Sequence, residues 1–234
     1  MVAIFVTLMF VGFLLVDLVL QKVQAARLVA VRPEQIRRGL ATAEALARAR
    51  SFPWGIPQGV YLSEGHAWFE PEPSGEVRVG ADALVAHAVG TLDKVVFPKV
   101  GDLVRKGHAL FHLVHEGRVL TFFSSVLGKV VSINDRLRDC PELVANEPYG
   151  AGWVCSVVPA YLDDGSGKMR FGEKAAFWLE CEFDRFCGFV SARIPSDLAL
   201  GATSQDGGVP VIGSLVELGD EAWSAFETDF LHPK

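Results

Sequence analysis

A mainly β domain, preceded by an apolar amino-terminal helix and flanked by helical segments, is the architecture that this 234-residue sequence predicts. Three observations carry it. Around Glu116-Gly117-Arg118, the stretch Ala109–Val131 is dominated by β-branched and aromatic residues with no sustained helical period, so it reads as strands Leu110–His115 and Val119–Ser124. Val2–Leu20 is almost wholly apolar, and Glu173–Phe189 has the composition of a helix.

The apolar run is interrupted only by Thr7, Gly12 and Asp17. At helical rise it reaches roughly 28–30 Å, the thickness of a hydrocarbon core. The sequence therefore predicts a spanning helix over 1–21, with Asp17 close enough to the end to reach the headgroup zone. A cleaved secretory signal, ending at the small-residue site Val23-Gln24-Ala25, is the competing reading. No basic residue precedes the run, whereas Lys22, Arg27, Arg32, Arg37 and Arg38 follow it. That asymmetry predicts a single-pass membrane protein whose main domain is cytoplasmic.

Residues 22–57 form a basic juxtamembrane region. Within it, Pro33–Arg50 reads as a helix with Ile36, Leu40, Ala43 and Ala47 on one face and arginines on much of the rest. Such a helix is either a solvated connector or a stripe resting on anionic lipid. Ser51–Pro57 then breaks it with prolines and a glycine.

A domain over 58–160 follows. Tyr61–Glu70 and Glu76–Gly80 are expected strands joined by a turn at Pro71–Gly75, Ala81–Val89 a short helix with Asp82 in its first turn, and Val95–Phe97 a strand. The hairpin comes next, with a tight turn centred on Gly117, the residue type that reaches positive φ without a Cβ clash. Asp163–Gly167 marks a boundary to a helical extension over 161–234. There Glu173–Phe189 sets Ala175, Leu179, Phe183 and Phe186 on one side, and Gly201–Gly208 reads as a loop. Asp220 is placed to cap a last helix carrying Trp223, Phe226 and Phe230 on one stripe. That stripe either packs on its own domain or docks into a partner's groove.

Composition removes several functional classes. A net charge of −6 lacks the basic excess that nucleic acid requires. Cys140, Cys155, Cys181 and Cys187 show no paired spacing, which fits a reducing compartment and buried thiols better than a disulfide framework. His108, His112 and His115 crowd the hairpin, yet residues 112 and 115 point to opposite faces of a strand and residues 108 and 112 stand about 13 Å apart. No metal is expected, and His115 reads as a surface partner of Glu116. Gly165-Ser166-Gly167-Lys168 lacks the upstream glycine and strand of a phosphate loop, and no hydrolytic or dinucleotide-binding set is present.

The hairpin's flanks carry more information. Pro98-Lys99-Val100-Gly101-Asp102-Leu103-Val104-Arg105-Lys106-Gly107 precedes it, and Ser124–Asn134, with Leu127-Gly128-Lys129-Val130-Val131 at its centre, follows. Farther on stand Pro141-Glu142-Leu143-Val144 and Pro148-Tyr149-Gly150-Ala151-Gly152-Trp153. With Glu64-Gly65-His66-Ala67-Trp68, these segments resemble the glycine cleavage system H protein, a lipoyl/biotinyl-carrier family, over about Gln58–Pro159. The resemblance implies a flattened lipoyl-type β-barrel or sandwich of two quasi-symmetric halves, each with a Gly-initiated turn into a strand. It also implies a carrier rather than an enzyme, with lipoate on a hairpin-tip lysine.

Here the sequence departs from the pattern. Counting back from Gly128, the tip position falls on Gly117 or Arg118, and no lysine lies between Lys106 and Lys129. A guanidinium stays protonated and is not an acylation nucleophile. The expected function is thus a non-lipoylated, membrane-tethered docking or assembly module without cofactor. Its candidate docking residues are His115, Glu116, Gly117, Arg118, Trp223, Phe226 and Phe230. A genuine lipoyl carrier for aminomethyl transfer, using a lysine such as Lys106 or Lys129, is the alternative. An export adaptor of the membrane-fusion type is a further one, disfavoured by the missing heptad hairpin.

Overall fold

Short segments, several rich in β-branched and aromatic residues, build ten strands in the computed structural model, which describes residues 55–160, 169–193 and 210–232. The first three are β1 (Tyr61–Ser63), β2 (Ala67–Pro71) and β3 (Val77–Ala81), followed by helix α1 (Ala83–Val89). Then come β4 (Lys94–Val96), β5 (Leu103–Val104), β6 (Ala109–His115), β7 (Arg118–Phe123) and β8 (Gly128–Ile133). A 3-10 turn (Asp135–Arg138) and the short helix α2 (Leu143–Asn146) lead to β9 (Cys155–Pro159) and β10 (Met169–Phe171). Helix α3 (Glu173–Ser191) follows, and α4 (Ser214–Glu217) and α5 (Gly219–Phe226) precede a wider π-type turn over Glu227–Leu231.

Seven strands pair in the order β10-β1-β2-β3-β9-β8-β5, and three in the order β4-β6-β7. Every pairing is antiparallel. The two Gly-initiated half-motifs meet directly, with Leu103 opposite Lys129 and Val104 opposite Gly128. Side chains of both sheets share one core, in which Trp68, Phe69 and Val130 join Phe111, Leu113, Leu120 and Phe122. Cross-strand neighbours Phe111 and Phe122 stack with centroids 4.6 Å apart.

The expected single strand Tyr61–Glu70 is in fact two, because the chain reverses at Glu64-Gly65-His66 and pairs Leu62 with Trp68. His66 takes φ +58 there, a conformation that ends any strand. Trp68 sits opposite Gly80, where a Cβ would fall 2.7 Å from the indole nitrogen, so only glycine leaves room for the ring. The indole in turn donates to Pro148 O at 2.9 Å, and Asn134 Nδ2 donates to Ala151 O and Trp153 O at 2.8 Å each. The aromatic-glycine segment of residues 148–153 is therefore pinned to the sheet by its backbone carbonyls.

Asp82 is the N-cap of α1, accepting from Leu84 N and Val85 N. Asp220 lies within the first turn of α5, whose N-cap is Leu218, and accepts from Arg118 instead, in contrast to its expected capping role. Cys155 is buried, but Cys181 on α3 is exposed rather than buried. The cause is its place on the outer face of α3, whose inner face carries Leu179 and Phe186. The predicted spanning helix, the basic helix over 33–50, the boundary turn over 163–167 and the loop over 201–208 lie outside the described residues. Among the described residues no helix is long and apolar enough to cross a membrane.

Candidate functional site

The apex of the β6–β7 hairpin consists of Glu116 and Gly117, at φ +48 and +81, between the paired residues His115 and Arg118. Positive φ at both central positions is the turn whose twist matches a two-residue hairpin. Glu116 N donates to Asp93 Oδ2, tying the apex to the approach of β4. Both apex residues are exposed, and a Cβ at Gly117 would meet nothing within 4 Å.

Arg118, the first residue past the apex, is held from three sides. Its Nε donates to Asp220 Oδ1 at 2.6 Å, its Nη1 to Val216 O at 3.2 Å, and its guanidinium lies 5.8 Å from the Trp223 ring centre. Asp220 is itself open to solvent, so water screens this pair. Beyond it, Trp223 Nε1 donates to Val119 O at 3.0 Å, and Thr121 N donates to Glu227 Oε1 at 2.9 Å. β7 is an edge strand, and residues 119 and 121 share one side of it. Side chains of the C-terminal segment thus occupy backbone groups that a further strand would use.

His115, expected at the surface, is 7% exposed, because Trp223 stacks on it at 6.2 Å. Trp223, Phe226 and Phe230 are also buried. Phe226 and Phe230 stack on each other at 4.6 Å and meet Phe186 and Phe189 of α3 edge-on. These three rings therefore face the chain's own core, leaving Glu116, Gly117 and part of Arg118 at the surface. His112 shares a hydrogen bond with Thr121 Oγ1 at 3.2 Å, and among the described residues no cluster of His, Cys, Asp or Glu could hold a metal ion.

A second polar cluster has no counterpart in the sequence reading. His66 is fully buried, with Nδ1 2.7 Å from Asp82 Oδ2 and Nε2 3.5 Å from Glu182 Oε2. Its ring lies 4.9 Å from Trp178 and 6.0 Å from Phe230. Burial alone disfavours the imidazolium, but the charges and hydrogen bonds of Asp82 and Glu182 outweigh it and lift the pKa to about 9. Burial likewise opposes the Glu182 carboxylate, yet His66, Arg185 and Arg170 together hold its pKa below the usual value. A cleft of about 470 Å³ opens beside Glu182, lined also by Arg170, Arg185 and Trp178. Arg170 pairs with Glu64 at 3.2 Å and Arg185 with Glu182 at 2.6 Å. The partners of His66 are far away in sequence, Asp82 an N-cap and Glu182 on the extension, and no motif joins them; only the capping position of Asp82 gives a local signal.

A β-sheet sandwich with a glycine turn at the start of each half, displaying a two-residue hairpin apex, defines a lipoyl-type carrier domain. Residues 60–177 match the family described as Glycine cleavage H-protein, and the chain belongs to that family. It is 30% identical over 125 residues to the probable glycine cleavage system H protein of Pyrococcus horikoshii, covering 53% of this chain and 92% of that one. With the glycine cleavage system H protein of Listeria innocua it shares 33% over 99 residues, or 42% and 78% of the two chains. The crystal structure of a glycine cleavage system H protein from Mycobacterium marinum is similar with TM-score 0.47 and 29% identity, over 53% of this chain and 99% of that one. The family match extends past Pro159 through β10 into α3. Members of this family are carriers of a lipoyl group rather than enzymes, and this chain is likewise a non-enzymatic, carrier-type protein.

Proposed function

We propose that this H-protein-like domain is not lipoylated and serves as a docking or assembly module tethered to a membrane, its main domain facing the cytoplasm. One observation carries the reading: the apex presents Glu116 and Gly117, followed by an arginine already engaged by Asp220 and Val216. Acylation needs an amine that can lose its proton, which a guanidinium does not do. Lys106 and Lys129 are the nearest amines along the chain, and β6 alone separates Lys106 from the apex by about 20 Å at strand rise. An arm at either lysine would swing from the opposite end of the hairpin. The apolar run Val2–Leu20 and the basic residues after it support the tether and its orientation. A hairpin that keeps its backbone shape while losing the arm keeps the surface a partner protein would read, with no cofactor or nucleic acid involved.

Intact-mass measurement of the chain purified from cells with an active lipoate pathway tests this. The unmodified mass is expected. A lipoyl increment would overturn the reading in favour of aminomethyl transfer by a working carrier. Protease accessibility in sealed vesicles tests the orientation, with the domain expected on the cytoplasmic side.

A further inference from the structure

We propose that the open edge of β4, with the groove beside it, seats an extended acidic segment of a partner protein as an added strand. The proposal names a partner class for the docking reading above and rests on it. β4 is paired with β6 alone and ends the three-stranded sheet. The opposite end of that sheet, β7, is covered by Trp223 and Glu227. A groove of about 530 Å³ adjoins β4, with Val96, Phe97 and Val100 among its apolar walls and Lys94, Lys99 and Arg138 as its charged ones. Val96 and Val100 are 40% and 59% exposed, and both lysines are exposed as well. Arg138 reaches over the Phe97 ring at 5.1 Å while its Nε pairs with Asp135 Oδ1 at 2.9 Å, so Lys94 and Lys99 carry the charge that an occupant would meet.

Charge and shape select the occupant. The chain as a whole carries −6, yet no carboxylate lines this groove. A second copy pairing through the same edge would bring lysines against lysines, which is how edge strands resist self-association. An extended segment with alternating carboxylate and apolar side chains sends one set toward Lys94 and Lys99. The other set lies on the opposite face, that of Val95, while its backbone takes the unpaired edge. A flat bilayer cannot supply backbone hydrogen bonds to a strand edge set in a groove. The N-terminal end of β4 pairs Lys94 with Val114, two residues from the apex, so a segment seated here also passes the hairpin tip.

Fluorescence anisotropy tests the proposal, using the purified full chain of confirmed unmodified mass and a labelled decapeptide of alternating Glu and Val. Saturable binding is expected, weakened at least tenfold by Lys94→Glu with Lys99→Glu, and by 0.5 M salt. The double variant should instead take up a Lys/Val decapeptide, and Arg105→Glu, an exposed charge outside the groove, should change nothing. If the reversed variant loses its circular dichroism spectrum, Lys94→Gln with Lys99→Gln serves in its place and should weaken binding severalfold. Three results would overturn the proposal: no saturable binding, binding indifferent to the lysines, or equal binding of a probe N-methylated at alternate residues. Lysine-dependent retention on phosphatidylglycerol vesicles without peptide binding would assign the face to lipid and overturn it too. Since the apex is known to be unmodified in each case, failure here leaves the non-lipoylated reading standing.

Discussion

Glu227 Oε1 accepts the backbone N–H of Thr121 at 2.9 Å, joining residues 106 positions apart. Two residues along β7, Val119 O accepts from the Trp223 indole at 3.0 Å. Together they cover the edge of the very hairpin that displays the apex. A strand edge closed by side chains is denied to other strands, so the C-terminal segment directs any strand partner to the opposite edge of the sheet.

Removing that cover should be costly. Glu227→Ala leaves Thr121 N without its charged acceptor in a half-buried place, and a loss of about 1–3 kcal/mol is expected. Glu227→Gln, which keeps an oxygen acceptor, should lose less than half as much. Urea unfolding midpoints at constant slope measure both, and equal stability of all three proteins would show the contact to be idle.

The His66 cluster fixes the pH profile. Its folded pKa of about 9 lies above the unfolded value of 6.5, so its contribution is fully present below pH 6.5 and is lost as pH rises through 9. From that shift the contribution is on the order of 3 kcal/mol. Glu182 works in the other direction, its depressed pKa making stability fall as acid protonates it. Thermal unfolding should therefore be highest between about pH 5 and 7. His66→Gln should flatten the alkaline side of the profile, and a variant that still loses stability there would assign it to another group.

Gly80→Ala tests the packing of Trp68. The added methyl would lie 2.7 Å from the indole nitrogen, forcing the ring from its bond to Pro148 O. Overpacking of this kind costs about 1–3 kcal/mol. A thermal melt should show the drop. Near-ultraviolet circular dichroism, which reports tryptophan packing, should change with it.

How much of this can be read from the sequence depends on how local each signal is. The hairpin is legible because strand propensity and a glycine turn both act within a few residues, and its observed ends fall within one residue of those expected. The stripe of Trp223, Phe226 and Phe230 marks a buried face but not its target, since β7 and α3 come together only through tertiary packing. Tyr61–Glu70 reads as one strand although Gly65 marks the reversal, because a single glycine does not reveal that His66 beside it adopts a left-handed backbone. That conformation accompanies a buried ion pair with Asp82, formed after the chain has folded back. The burial of His115 is hidden for the same reason: its neighbour in sequence is Glu116, but its neighbour in space is Trp223.

The apex itself yields the most direct experiment. Gly117 has open space around its absent Cβ, so Gly117→Lys would place an amine at the tip without a clash. The penalty is the left-handed backbone at φ +81, about 1–2 kcal/mol for a residue with a Cβ. The new amine would stand one residue before Arg118, whose contacts to Asp220 and Val216 O need not move. Expressed with an active lipoate pathway, the variant is expected to fold and to gain a lipoyl mass increment that the parent chain lacks. A parent chain carrying the increment would contradict the missing-amine account at once. A folded variant that stays unmodified would locate the block in the surface around the tip, where Glu116 and the covered edge of β7 differ from a bare hairpin.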